Sequence, residues 1–524
     1  MTIEELEVLP DAARTIEGLR DTGYDFLTAA ADIIDNSIAA SATKISVRVA
    51  LALDGELEVS VSDNGCGMTK TDLLNAMKYG SRVRESAASL GKFGLGLKTA
   101  STSICRQLTV ISRADGSGEA HAAEWDLDYV AKSNKWLLRL PDVTGHELDL
   151  LEGVGGDKSG TVVLWRKVDR LLPRHYQDTQ SAAAQAALRK IVDSLRKHLA
   201  LTYVRYLTGE GRPAVVIEVN DIAVEAWDPF WRPRSEVLLD KSVGVKIDGQ
   251  SAEFRLRAYV LPPRSEMTDD EQKQAQISTD RQGFYVFRED RVISSGGWLG
   301  MAQVEPHDSL CRVEFSFDHR LDAALQIDIK KSRIKMLADL QDHVRKLIAP
   351  ARAEAEERYR KNVSSKAKTE GPSIHGPANV AVANNIGGII RTTVTPTGEN
   401  TATVTNPRGA VSIEIPVIED AEGGPYVVVQ TELQDGILWR PGVVAQKNAV
   451  LLNASHPFYD RVYSALKESP VGVQAIDFLL WALCEAELYA ISDTEKEHMT
   501  AVRREVSRIV RELSKVLPEP KPLV

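Results

Sequence analysis

The chain has 524 residues, with 64 Lys and Arg against 74 Asp and Glu, a formal net charge of −10. That length exceeds a single ordinary core and predicts about two to four domains. The acidic balance argues against DNA binding by bulk charge and leaves a local basic channel open.

No apolar run of about 18 residues is present, so no spanning helix and no membrane partner are expected. No signal peptide is evident, and the acidic start Met1-Thr2-Ile3-Glu4-Glu5 argues against export; the expected compartment is the cytoplasm. Cys66, Cys105, Cys311 and Cys484 lie far apart, which argues against a zinc module or a disulfide framework.

Residues 27–40, small and aliphatic, read as a helix. Residues 44–53 and 56–61 alternate apolar and polar and read as paired strands joined by the turn Asp54-Gly55. Further strands are expected at 107–112, 122–127 and 160–165. Strands adjacent in sequence, with helices on one face, fit a mostly antiparallel α/β sandwich better than a doubly wound parallel sheet.

A second domain is expected from Ser181 onward, with a long amphipathic helix over 182–207 and strands at 214–219, 254–260, 283–288 and 311–317. A helix is expected over 334–359. Residues 361–408, rich in Ser, Thr, Asn, Gly and Pro, read as a linker or mobile arm. Residues 410–442 read as strand-rich, 451–459 as a compact loop, and 470–517 as mainly helical.

Three segments carry chemistry. In Ala31-Asp32-Ile33-Ile34-Asp35-Asn36-Ser37, Asp32 and Asn36 are four apart and share a helix face. An Asn amide oxygen is a neutral hard ligand suited to magnesium, and an Asp one turn earlier can hold a water. In Asp63-Asn64-Gly65-Cys66-Gly67-Met68, a carboxylate ends a strand and two glycines let a planar ligand approach the backbone. The Asp can accept from an exocyclic amine. In Gly91-Lys92-Phe93-Gly94-Leu95-Gly96-Leu97-Lys98, glycines precede a helix whose free amides and positive dipole end suit phosphate oxygens. Each segment alone is a common pattern; their order and spacing are not.

That order, followed by Gly160-Thr161 before a strand, resembles the GHKL ATPases, which include gyrase, the ninety-kilodalton heat-shock chaperones, histidine kinases and MutL. The resemblance implies an α+β chain: a GHKL (Bergerat) α/β sandwich over 1–175, a transducer domain of the ribosomal-protein-like β-α type over 176–350, a helix end and linker over 351–410, and a C-terminal strand-plus-helical domain over 411–524. It implies ATP and magnesium as cofactors. Asn36 would ligate magnesium, and Asp63 would read the adenine amine, with Gly65, Gly67 and Met68 forming the turn beneath the base. Gly91, Lys92, Phe93, Gly94, Leu95, Gly96, Leu97 and Lys98 would cover the phosphates, and the Thr161 hydroxyl would assist Asp63.

The family's general base is usually Glu where this chain has Asp32, one methylene shorter, so slow hydrolysis is expected. Asp35 is rotated about 100° from Asn36 and is the weaker candidate. The second domain should deliver a lysine to the γ-phosphate; Lys330 and Lys331, in Ile327-Asp328-Ile329-Lys330-Lys331, are the candidates, and an extended strand lets only one reach it.

The lid segment and Gly23-Tyr24 look most like MORC ATPases, as do Val219-Asn220-Asp221, Asp228-Pro229-Phe230 and the stretch from Gly283 to Ile293. That resemblance, which covers 11–335, implies an ATP-gated homodimeric clamp acting on DNA or a DNA-bound partner, in a restriction-modification or phage-defence setting. A chaperone-like remodeller and a nucleotide-gated scaffold with little hydrolysis are the alternatives. In the last third, His456 reads as packed rather than catalytic, and the apolar stretch 473–488 as core or as a dimer interface. Arg503, Arg504, Arg508 and Arg511 read as a solvated face, with phosphate contact as the alternative.

Overall fold

In the computed structural model, two aspartates start the first helices. Asp11 accepts from the Arg14 amide at the head of α1 (Ala12–Arg20), and Asp25 accepts from the Thr28 amide at the head of α2 (Phe26–Ala39). The structure describes every residue except 1–9, 22, 53, 54, 80–95, 117, 173–177, 180, 248, 249, 323, 324, 326–335, 337, 370–373, 399, 422, 423, 431, 432, 434, 435, 464, 467, 468, 515 and 518–524. The chain divides into two units. One comprises Met1–Tyr259, Gly283–Gln303 and Arg312–Ala349; the other comprises Val260–Gln282, Val304–Cys311 and Pro350–Val524.

In the first unit, Ile45, Val47 and Val49 alternate along β1 (Lys44–Leu51), and Leu57, Val59 and Val61 along β2 (Leu57–Asp63). The two pair antiparallel with Val47 opposite Val61. After α3 (Lys70–Met77) and α4 (Gly96–Ile104) come β3 (Cys105–Arg113), β4 (His121–Asp126), α5 (Leu127–Ser133), α6 (Gly145–Gly155) and β5 (Gly160–Val168). The helix expected over 182–207 breaks at Tyr203 into α7 (Ala182–Thr202) and α8 (Val204–Thr208), before β6 (Val216–Val219) and β7 (Ile222–Ala223).

These strands form one sheet in the order β4-β3-β5-β2-β1-β6-β7. Every neighbouring pair is antiparallel except β1 with β6. Helices α2 and α4 pack together, and Phe26, Ala29, Ala30, Ile33 and Ile34 join the sheet's Val59, Val61 and Trp165 in the main core. That packing holds the polar side of α2 at the end of β2, where the first two motifs meet.

A second, five-stranded sheet holds β8 (Glu236–Ile247), β9 (Gln250–Val260), β10 (Gly283–Arg288), β11 (Arg291–Ser295) and β12 (Cys311–Phe317), ordered β11-β10-β12-β9-β8. Strand β11 is an edge and turns back antiparallel on β10.

In the second unit, the stretch expected as a linker holds regular structure. Residues 361–369 end the helix Ala338–Thr369, and Gly376–Ile389 is a helix, followed by the antiparallel pair Thr393–Gly398 and Thr401–Asn406. Composition misled because tertiary contacts decide here. Asn379 is buried; its Oδ1 accepts from the Tyr426 and Val427 amides (2.7 and 3.0 Å), and its Nδ2 donates to Val427 O (3.1 Å).

Residues 451–453, expected in a loop, finish the strand Lys447–Asn453, which pairs with Trp439–Val444 and Val427–Gln430. His456 is buried, meets Ser507 O at 3.1 Å and accepts from the Phe458 amide; burial lowers its pKa to about 4, the state of a packed neutral imidazole. The helices Pro470–Leu488 and Asp493–Ser514 complete the unit. Among the described residues, no helix is long and apolar enough to cross a membrane.

Candidate nucleotide site

Helix α2 supplies one wall. Asn36 Nδ2 donates to Asp32 O, one turn back (3.0 Å). The opposite flip would set two carbonyl oxygens against each other, so Asn36 Oδ1 is the atom left to accept a cation or a donor. The next residue, Ser37, donates from Oγ to Asp63 Oδ2 (2.7 Å) and ties α2 to the end of β2.

Asp32 is buried, and Tyr24 donates its hydroxyl proton to Asp32 Oδ2 (2.8 Å). Burial, then the Asp32 charge, pushes the Tyr24 phenol far above its ordinary pKa, so it remains a donor. Asp35, three residues after Asp32, meets the same arginine. Its Oδ1 is 2.8 Å from the Tyr203 hydroxyl and 3.0 Å from Arg291 Nε.

Asp63 ends β2 opposite Thr161 of β5 and Ile45 of β1. Its carboxylate is buried and accepts from Ser37 and from the Gly65 amide (2.9 Å). Burial raises its pKa, against those two bonds and one from the Thr161 backbone. The turn beyond it is sterically closed to any side chain. A Cβ on Gly65 would lie 2.8 Å from Ala40 O, and one on Gly67, where φ is +64°, would lie 1.9 Å from Arg113 O.

Met68 N donates to Ser112 Oγ (2.8 Å), and that hydroxyl meets Thr161 Oγ1 at 2.9 Å. The Thr161 hydroxyl, expected to assist Asp63, thus faces Ser112 while its backbone serves the carboxylate. The strand pairing explains this: Thr161 sits between Asp63 on β2 and Ser112 on β3.

Of the lid, Gly91, Lys92, Phe93, Gly94 and Leu95 lie outside the described residues, as do Lys330 and Lys331. Gly96 starts α4, and a Cβ there would lie 3.6 Å from Asp32 Oδ2, so the free amides of the helix start next to that carboxylate. Leu97 is half-buried. Lys98, expected to bring charge to phosphates, is buried and donates from Nζ to Ala76 O of α3 (2.8 Å), and desolvation lowers its pKa to about 8.

Asp32, Asn36, Asp63, Gly65, Gly67, Met68, Gly96 and Thr161 therefore converge around the junction of α2, the β2 end and the start of α4. Sequence reasoning gave no role to Ser37, Ser112, Tyr24 or Arg291. Ser37 stood beside Asn36 in a motif of small and apolar residues, which was a usable signal. Ser112 acts across the β3–β5 pairing and Arg291 by reaching from β11 to α2, and neither carried a local signal. Among the described residues, no cluster of three or more His, Cys, Asp or Glu could hold a metal. A magnesium ion at Asn36 Oδ1 would take its other ligands from phosphate oxygens and water, as that hard cation commonly does.

The family model of histidine kinase-, DNA gyrase B- and HSP90-like ATPases matches residues 24–161, and this part of the chain is a GHKL-type ATPase domain. ATPase morc-1 of Caenorhabditis elegans is 29% identical over 90 residues, 17% of this chain. ATPase MORC2B of Mus musculus is 30% identical over 101 residues, 18% of this chain. The matched part spans 10% of the length of each of these relatives. Among solved structures, the N-terminal domain of a DNA repair protein aligns at 15% identity with a TM-score of 0.38, covering 67% of this chain and 98% of that one.

Proposed function

We propose that this protein binds ATP with magnesium and hydrolyses it slowly, and that the bound nucleotide gates a homodimeric clamp acting on DNA or on a DNA-bound partner. The observation that carries this is the hydrogen bond from Ser37 to Asp63, which fixes a buried base-reading carboxylate against the helix that bears Asp32 and Asn36. In this proposal Asp63 accepts from the adenine amine over the Gly65–Gly67 turn beside Met68. Asn36 Oδ1 holds magnesium, which when bound neutralises phosphate charge. The segment from Gly91 to Lys98 covers the phosphates, its α4 amides supplying donors. Asp32 polarises the attacking water, and Lys330 or Lys331 brings a cation to the γ-phosphate.

The partial likeness to two MORC ATPases supports the clamp over a chaperone-like remodeller. A restriction-modification or phage-defence setting belongs to the same proposal. The division at 175, 350 and 410, with a transducer in the second segment and dimerisation in the last, is part of it too. The apolar helix Pro470–Leu488 supports that last role, since Val471 and Leu479 are exposed. The scaffold alternative draws on one observation: Asp32 Oδ2 already accepts from Tyr24, which would slow a base further.

Sedimentation with and without a non-hydrolysable ATP analogue tests the clamp. Nucleotide should shift the protein to a tighter dimer, and DNA should stimulate ATP turnover in a salt-sensitive way. A mass that ignores nucleotide, together with no DNA binding at low salt, would sink it.

A further inference from the structure

Arg291 opens β11, the edge strand of the second sheet, yet its side chain ends against α2 of the first. It is 4% exposed, and its guanidinium lies 3.0 Å from Asp35 Oδ1 and 3.5 Å from Asp32 Oδ1. Asp32 and Asp35 are three apart on one helix, so their carboxylates are near enough to share a cation. Two carboxylates buried this close repel each other, and a cation between them offsets that repulsion. Burial by itself would lower the pKa of the guanidinium; Asp35, Tyr203 and Asp32 more than offset it, so the charge is permanent.

The two contacts are unequal. Asp35, with the shorter pair and the Tyr203 hydroxyl, anchors the guanidinium. Asp32 has the longer one, and its other oxygen is held by Tyr24. That geometry steers a carboxylate without locking it in a bidentate fork. We infer that Arg291 is a positioning residue for Asp32: braced by Asp35 and Tyr203, it holds the Asp32 carboxylate aimed, so that the ATPase site works only when the β10–β11 hairpin is seated against α2. This rests on the proposed ATP hydrolysis, in which Asp32 polarises water. It gives the second sheet a hold on the site separate from that of the lysine pair.

The test is single-turnover ATP hydrolysis and nucleotide affinity in the full chain for Arg291→Met, Arg291→Lys, Asp32→Asn and the doubles with Asp32→Asn. Arg291→Met should lower the hydrolysis rate about 10- to 100-fold with affinity changed less than about threefold. Arg291→Lys should recover part of that loss. On the Asp32→Asn background, neither change should lower the residual rate further, because the group Arg291 acts through is gone. If Arg291→Met does not fold, Arg291→Lys carries the test: a rate loss of about 10-fold in the wild type and none in Asp32→Asn. Losses that multiply in the doubles, an affinity loss equal to the rate loss, or an unchanged rate would overturn the inference alone. Absence of turnover in the wild type would overturn the ATPase proposal and this inference with it.

Discussion

Asp32→Asn lowers ATP turnover about 100- to 10,000-fold and leaves nucleotide affinity within about threefold, as read by phosphate release and equilibrium titration. The change keeps the side chain's size and removes its charge. Asp32 stands one turn from Asn36 and close to the first residue of α4, where phosphate would meet free amides. A carboxylate there can polarise a water held between helix start and phosphate; an amide cannot accept its proton. Asp63, which would read the base, is on a different element and keeps its bonds to Ser37 and Gly65. Rate and affinity should therefore separate. Equal loss of both would place Asp32 in binding rather than in chemistry.

Gly67→Ala weakens nucleotide binding roughly 100-fold and destabilises the first unit. An alanine at φ +64° costs about 1–2 kcal/mol from backbone strain alone. Its Cβ would also lie 1.9 Å from Arg113 O and 2.7 Å from Arg113 C, backbone atoms of a buried strand that cannot step aside. The turn must move instead, breaking the Met68 amide bond to Ser112 and opening the floor beneath Asp63. A combined cost of about 3 kcal/mol corresponds to roughly 100-fold in affinity. Hydrogen exchange should rise in the β2–α3 turn before it rises elsewhere. Wild-type affinity in this variant would mean that the turn does not line the site.

Much of this was legible in the residues because it was local. Alternation in 44–61 specified the β1–β2 hairpin, and the strands Gly283–Arg288 and Cys311–Phe317 lie at their expected bounds. Asp32 with Asn36, Asp63 with its glycines, and Gly96 each carried their signal within a few positions. What escaped was set by distant partners. Strand β8 was missed because it is an edge with Val237 half exposed, so its burial does not alternate.

The helix Gly376–Ile389 was missed because its warrant is a buried Asn379 bridging to Tyr426 and Val427, not its own composition. Lys98 follows three glycines, but its Nζ partner, Ala76 O on α3, lies 22 residues back and carried no local signal. Arg291 belonged to a recognisable stretch, yet nothing near it in the chain announces two aspartates of α2.

The proposal that this fold reads adenine at Asp63 is tested most directly by equilibrium titration of ATP and GTP against the wild type and Asp63→Ala. The wild type should prefer ATP, because a carboxylate accepts from the adenine amine and repels the guanine carbonyl. Asp63→Ala should lose that preference and about 10- to 100-fold in ATP affinity, the range for a hydrogen bond to a charged group. Equal ATP affinity in the two proteins, or a wild type that binds neither nucleotide, would contradict it.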